Sequence, residues 1–308
     1  MKRLQEFRIF YNHTIFPELV RMEKHRKRLV RLLIFSVFLL FLLTIVQIYA
    51  NVFLLTLFLT IPIAFYVGYI AYRIRKFQQR FKPNIIGLIL DFLDNAPNYG
   101  KLSYDSNKKI EQKVFEESGI FGKGFPFYRG EDFIEGRIGE MNFELSELDV
   151  RRISPVSNQL EEVFRGIFIT SIFNEETEGA ITIWPRRKRP FISRAIKDFT
   201  WADAVNVDEE ILNPKFKEYF TIYATEDTHV TGILSEPMQE ALMEYIQSSK
   251  KDIYISFRGK KIYAAISSPK DLLEPNILRS NLSFQEMKEF YEDIELALLI
   301  IRDFDQTH

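Results

Sequence analysis

Six carboxylates crowd one stretch of this chain: Glu131, Asp132 and Glu135 before a turn, and Glu144, Glu147 and Asp149 after it. Carboxylates gathered this way can move protons in acid–base chemistry, or hold a hard cation through oxygen ligands. They equally suit an exposed hairpin face, with Glu131 and Asp132 setting a turn and Gly130, Gly136 and Gly139 supplying positive φ. The glycine spacing is not that of a phosphate loop, because it lies between strands and is followed by neither Lys-Ser/Thr nor a helix. We therefore read Gly130, Glu131, Asp132, Glu135, Gly136, Gly139 and Glu147 as a structural motif first, and assign no catalytic, cofactor or metal residue.

Other chemistry is sparse. The chain has no cysteine, which excludes disulfides, thiolate metal sites and a cysteine nucleophile. Of its four histidines, His13 and His25 sit in a basic lead, His229 in a polar turn and His308 at the end. No two have the spacing of a zinc site, and no nucleophile-elbow sequence accompanies His229. One basic run, Arg186, Arg187, Lys188 and Arg189, stands between Trp184 and Phe191 in an otherwise acidic region. Such a run is most often a solvated loop, but four cations beside aromatic residues also suit contact with anionic lipid headgroups, and no nucleic-acid-binding pattern surrounds them.

The elements that must position these residues begin with a membrane signal. Leu32 to Tyr72 contains no Asp, Glu, Lys or Arg, and about 20 apolar residues cross a bilayer core. The run is long enough for two spans, and the polar midpoint at Gln47, Tyr49 and Asn51 predicts a helical hairpin that turns near Asn51. Residues 1–82 carry 14 Lys and Arg against three carboxylates, and the remainder of the chain is acidic. Basic flanks on both sides of the hairpin predict both termini on the cytoplasmic side.

Ahead of the spans, Leu4, Phe7, Tyr11, Ile15 and Leu19 recur at helical spacing, with Pro17 expected to break or kink that helix. Pro83–Leu93 is apolar but too short to span, and predicts a separate connector helix. Asn107–Ser118 predicts another, with Gly119 as its C-terminal cap. From Gly130 the period becomes two. Strands are expected at Phe133–Ile138, Phe143–Leu148, Val163–Phe173, Ala180–Trp184, Tyr219–Ala224, Ile253–Phe257 and Ile262–Ile266. Ser235 caps one amphipathic helix, and Ser283-Phe284-Gln285-Glu286 opens a last one by a capping box. The expected fold is α+β: a basic lead-in (1–31), a transmembrane helical hairpin (32–72), a collar with connector helices (73–122) and a cytoplasmic domain of mainly antiparallel strands with capping helices (123–308). A pleckstrin-homology-like barrel is the alternative.

A resemblance enters through the residues themselves. Phe115–Phe121, Tyr128–Gly139 and Phe143–Leu148 resemble a bacterial membrane family catalogued as domain of unknown function 3137. Val163–Phe168, Phe173-Asn174, Phe216–Tyr223 and Ile233–Met238 continue the likeness, as do Phe7, Tyr11, Pro17, Leu19, Glu23 and Arg26. The resemblance implies a location in the bacterial inner membrane and, as partner, a small membrane-tethered helical protein of the LemA type. It implies no reaction. The expected function is a non-enzymatic, partner-binding membrane module that needs no cofactor and touches lipid but not nucleic acid. The alternatives are an anionic-lipid sensor and a carboxylate-dependent enzyme.

Overall fold

The computed structural model describes residues 2–50, 53–95, 100–154, 157–173, 179–188, 204–211, 213–225, 228, 230–269, 271 and 273–307. Asn51, Arg189, Phe191, His229 and His308 lie outside the described residues. The chain divides into two compact units, residues 1–92 with 273–287, and residues 93–272 with 288–308.

The first unit is helical. Helix α1 (Lys2–Phe10) leads through a π-helical turn at Tyr11–Ile15 into α2 (Phe16–Ala50), and α3 runs from Phe53 to Asp94. Pro17 does not break the helix. A proline removes one hydrogen bond and crowds the carbonyl four residues back, and the wider π turn just before it accommodates both. Pro83 likewise lies inside α3, so the expected connector helix is the end of one long helix. Phe7, Tyr11, Ile15 and Leu19 form the buried stripe that their spacing predicts. Phe7 meets the Phe92 ring at 5.3 Å between centroids, and Tyr11 meets Phe284 at 4.9 Å. Segment 273–287 belongs here: Arg26 donates to the Ile277 carbonyl at 2.5 Å, and Lys82 pairs with Glu274 at 3.1 Å.

Two helices are long and apolar enough to cross a membrane, and their most apolar windows are only 11% and 6% buried within the protein. Ile34, Phe35, Phe38 and Phe41 on α2, and Phe58 and Phe65 on α3, stand exposed. An apolar surface of that extent is what a lipid-facing helix requires.

The second unit is built on one nine-stranded antiparallel sheet. Its strands are β1 (Ser103–Asp105), β2 (Phe127–Ile138), β3 (Met141–Ile153), β4 (Leu160–Ile172), β5 (Ala180–Pro185), β6 (Ala204–Asn206), β7 (Phe220–Thr225), β8 (Ile253–Arg258) and β9 (Lys261–Ser267). The order is β1-β2-β3-β4-β9-β8-β5-β7-β6. The sheet is open, with β1 and β6 at its edges, so the fold is α+β but the barrel alternative is not realised. All seven expected strands form. The two that the sequence pattern omits, β1 and β6, have three residues each, too few to show alternation.

Helix α4 (Gln112–Glu117) is half the expected length and ends at Gly119, whose φ of +68° makes it the cap. Beyond it come α5 (Pro214–Tyr219), α6 (Val230–Ile233), α7 (Glu236–Ser249) and α8 (Phe284–Thr307). The Ser235 hydroxyl accepts from Met238 N at 3.1 Å and the Ser283 hydroxyl from Glu286 N at 3.3 Å, as the capping patterns require. Ile110, Phe115, Ile120, Phe121 and Phe125 join Leu148, Val150, Phe164, Phe168, Tyr254 and Tyr263 in a single buried core cluster. The opposite alternation carries Ile167, Ile169, Ile183, Ile222, Ile255 and Ala264, also buried. Both faces of the central strands are therefore apolar, one rich in aromatic rings and the other in Ile and Ala, so a one-residue slip would put the large rings on the face packed for small aliphatic side chains.

Candidate functional site

The carboxylate motif sits where β2 departs from regular pairing. Glu131 is opposite Glu147, but the next pair along the strands is Ile134 with Leu145, so β2 spends one more residue than β3. This is a β-bulge. Its central residue, Asp132, adopts φ +56°, a left-handed conformation that side chains rarely accept but Asp and Asn tolerate best. The strained position is Asp132 and not the flanking glycines. Gly130 and Gly136 have ordinary φ and are small for space. A Cβ on Gly130 would lie 2.5 Å from Leu148 Cδ2 and 3.0 Å from Lys109 Cβ. A Cβ on Gly136 would lie 2.4 Å from Leu102 Cδ2. Gly139, with φ +55°, does meet the expectation, in the β2–β3 turn.

The bulge sorts the six carboxylates. Glu131, Asp132 and Glu147 converge, each offering an oxygen within 4.8 Å of the others. Asp132 is 3% exposed and Glu147 6%, and Tyr104 of β1 donates its hydroxyl to Asp132 Oδ1 at 2.5 Å. Glu135, opposite Glu144, is turned to the other face, where it pairs with exposed Lys108 at 3.2 Å. Without the bulge, Glu131 and Glu135 would share a face, because four residues is an even step along a strand. Two carboxylates directly opposite on neighbouring strands repel, and a third beside them adds to the field.

Around Glu131 and Glu147 the structure opens a cleft of about 460 Å³. Lys109, Arg129 and Arg165 line it together with Asp149 and Asp271. Asp149 stands opposite both Arg129 on β2 and Arg165 on β4, and takes a bidentate contact from Arg151 at 2.9 and 2.8 Å. Arg165 donates to Asp271, a hydrogen bond that holds the guanidinium pKa above its ordinary value. Lys109 donates to the Tyr128 carbonyl at 3.2 Å with its ammonium over the Tyr128 ring. The result is a fixed pattern of alternating charge on the rigid β2–β3–β4 scaffold. Lys109, Arg165 and Asp271 come from three distant parts of the chain and were not singled out in the sequence. The one signal was Arg165 lying in the family-like stretch Val163–Phe168.

The basic run lies elsewhere. Arg186–Lys188 form a short 3-10 turn in which Arg186 pairs with Asp208 at 2.6 Å, and Arg187 and Lys188 pair with Asp252 at 2.6 and 3.7 Å. Trp184 is 6% exposed and packs edge-on to Tyr254 at 5.2 Å within the core, so its ring is not at a surface that lipid could reach.

No curated protein matches the chain. A crystal structure of the mycobacterial trehalose monomycolate transport factor A, TtfA, is similar with a TM-score of 0.33 and 10% identity, covering 63% of this chain and 88% of that one. A likeness this weak carries no argument. Of the cleft, Arg165 and Asp271 fall within the family match, whereas the motif from Gly130 to Glu147 precedes it. Residues 162–306, from β4 through most of α8, match the family described as "Protein of unknown function (DUF3137)", and over that span the chain resembles this family.

Proposed function

We propose that this protein is a membrane-anchored recognition module without catalytic activity, whose sheet domain binds a protein partner through the charged cleft at the β2 bulge. One observation carries the reading: three cations and four carboxylates surround an open cleft, with Arg129, Glu131, Glu147, Asp149 and Arg165 held on paired strands and Lys109 and Asp271 reaching it from the segments beside them. Such a surface gives specificity by charge complementarity, favouring one partner and repelling others. The anchor is the α2–α3 pair in the bacterial inner membrane, with both termini cytoplasmic. The basic residues flanking the apolar run support that orientation. The family resemblance adds a partner class, a small membrane-tethered helical protein of the LemA type. The test is co-purification of protein from native membranes with the intact chain. Glu131→Lys and Asp271→Lys should each abolish it while leaving thermal unfolding unchanged; retention by both variants would reject the cleft.

A second reading rests on the trio. Oxygens bound to one calcium ion lie no more than about 5.2 Å apart, twice the metal–oxygen distance, and Glu131, Asp132 and Glu147 each offer an oxygen within 4.8 Å of the others. Calorimetric titration with calcium, magnesium and manganese decides it. Saturable binding lost in Glu147→Gln would establish a cation site, and no heat would leave the recognition reading alone.

A further inference from the structure

Where α2 and α3 leave the charge-free run, they enclose a second cleft of about 550 Å³. Tyr72 is the last residue of that run and Arg73 the first beyond it, so one end of the cleft reaches the boundary between apolar and charged surface on α3, while its α2 wall, Glu18 to His25, belongs to the basic lead. Arg21 enters from α2, and Arg73, Lys76 and Arg80 from α3 at successive turns of one helix face. Glu18 is the one carboxylate in the lining, and it is already paired with Arg21 at 2.5 Å. Arg73 is oriented by donating to the Tyr69 hydroxyl at 2.9 Å. Lys76 and Arg80 have no hydrogen bond or ion pair among the described residues. His25 lines the same cleft with its ring 6.0 Å from that of Phe77. Burial, followed by repulsion from Arg73 and Arg28, lowers its pKa, as a site with surplus positive charge requires.

We propose that this cleft holds the phosphate of one anionic phospholipid headgroup. The proposal rests on the reading of α2 and α3 as membrane-inserted. Four cations converge on a concave site with one carboxylate between them, Tyr69 and Tyr72 stand at headgroup level, and exposed apolar surface continues from the cleft along α3 through Tyr66 and Phe65, where acyl chains would lie. A soluble phosphate compound would meet the same cations but leave that apolar surface uncovered. The Arg186–Lys188 turn is a poorer anion site, because its cations are already paired with Asp208 and Asp252.

The experiment places the full chain in phosphatidylcholine bilayer discs and titrates in phosphatidylglycerol, counting retained anionic lipid by native mass spectrometry. A single tightly held phosphatidylglycerol per chain is expected. Changing Arg73, Lys76 and Arg80 together to Gln should weaken it roughly 100-fold, at about five-fold per cation. Changing Lys24, Arg31 and Arg75, which lie outside the cleft, removes the same charge and should leave the site occupied. In the wild-type chain, the His25 resonance should titrate at higher pH once phosphatidylglycerol is added, a readout that needs no variant. Equal loss in both triple variants would reduce the effect to general attraction by the basic collar and overturn the site. Saturation by inorganic phosphate with no preference for phosphatidylglycerol would overturn the lipid assignment. A chain that never enters the discs would refute the membrane anchor instead, an outcome distinct from insertion without lipid retention.

Discussion

Asp132 offers the sharpest perturbation, because its side chain and its backbone make opposite demands. The carboxylate accepts the Tyr104 hydroxyl at 2.5 Å in a nearly buried setting, and a hydrogen bond to a charged group contributes about 1.5–3 kcal/mol. The φ of +56° costs an ordinary side chain about 1–2 kcal/mol, costs Asp or Asn less, and costs glycine nothing. Asp132→Asn keeps an acceptor and tolerates the backbone, so it should lose about 1 kcal/mol. Asp132→Gly loses the bond while relieving the strain, for a net loss of about 2 kcal/mol. Asp132→Ala loses the bond and keeps the strain, for about 3 kcal/mol. For a unit of this size each kcal/mol lowers the melting temperature by about 2–4 °C. The intact chain in detergent can be melted while following tryptophan fluorescence, since Trp184 is buried in the core of this unit. In a Tyr104→Phe background the Asn substitution should become nearly neutral, isolating the hydroxyl–carboxylate pair. The refuting result is a glycine variant less stable than the alanine variant, because that order holds only if φ is negative.

Three further outcomes follow from geometry. Gly166→Ala should destabilise by about 3 kcal/mol or more, because a Cβ there falls 2.1 Å from the Ile266 carbonyl oxygen and φ is +142°; a wild-type melting temperature would mean that β4 and β9 do not approach so closely. The folded state lowers the His25 pKa, so its contribution to stability is complete above the ordinary value near 6.5 and is lost as pH falls through that value toward the folded one. Denaturant titrations at several pH values should show that slope in the wild type and lose it in His25→Gln. The chain has no native cysteine, so Tyr49→Cys should react with an impermeant thiol reagent on intact cells, and Lys215→Cys only after permeabilisation. Labelling of Lys215→Cys from outside would reverse the topology.

The sequence revealed most where a local pattern is long. The charge-free run, the β8–β9 hairpin and the capped helices each repeat a period over many residues, and each is where that period places it. The bulge at Asp132 was hidden because it exists only relative to β3: nothing within Gly130–Gly136 shows which residue is unpaired. That one residue decides that Glu131 joins Glu147 while Glu135 faces away, so the acidic cluster was legible but its membership was not. Pro17 and Pro83 mislead because a proline's local penalty reads as a boundary in sequence, whereas a π turn absorbs the first and α3 continues through the second. Trp184 misled in another way. Beside four basic residues it looked interfacial, but strand alternation turns its ring into the core while the arginines that follow lie on a surface turn. Lys109, Arg165 and Asp271 are brought together only by the sheet, and no window of sequence contains them.

The claim that the bulge cleft recognises a protein partner is tested most directly by photocrosslinking in native membranes. A photoreactive amino acid replaces Arg129, exposed at the cleft, or Lys215, exposed on α5 as the control. We expect one discrete protein adduct from the Arg129 position, none from Lys215, and loss of the adduct when Glu131→Lys is added. Adducts of equal yield from both positions, or none from Arg129 in membranes where the chain is inserted and folded, would contradict it.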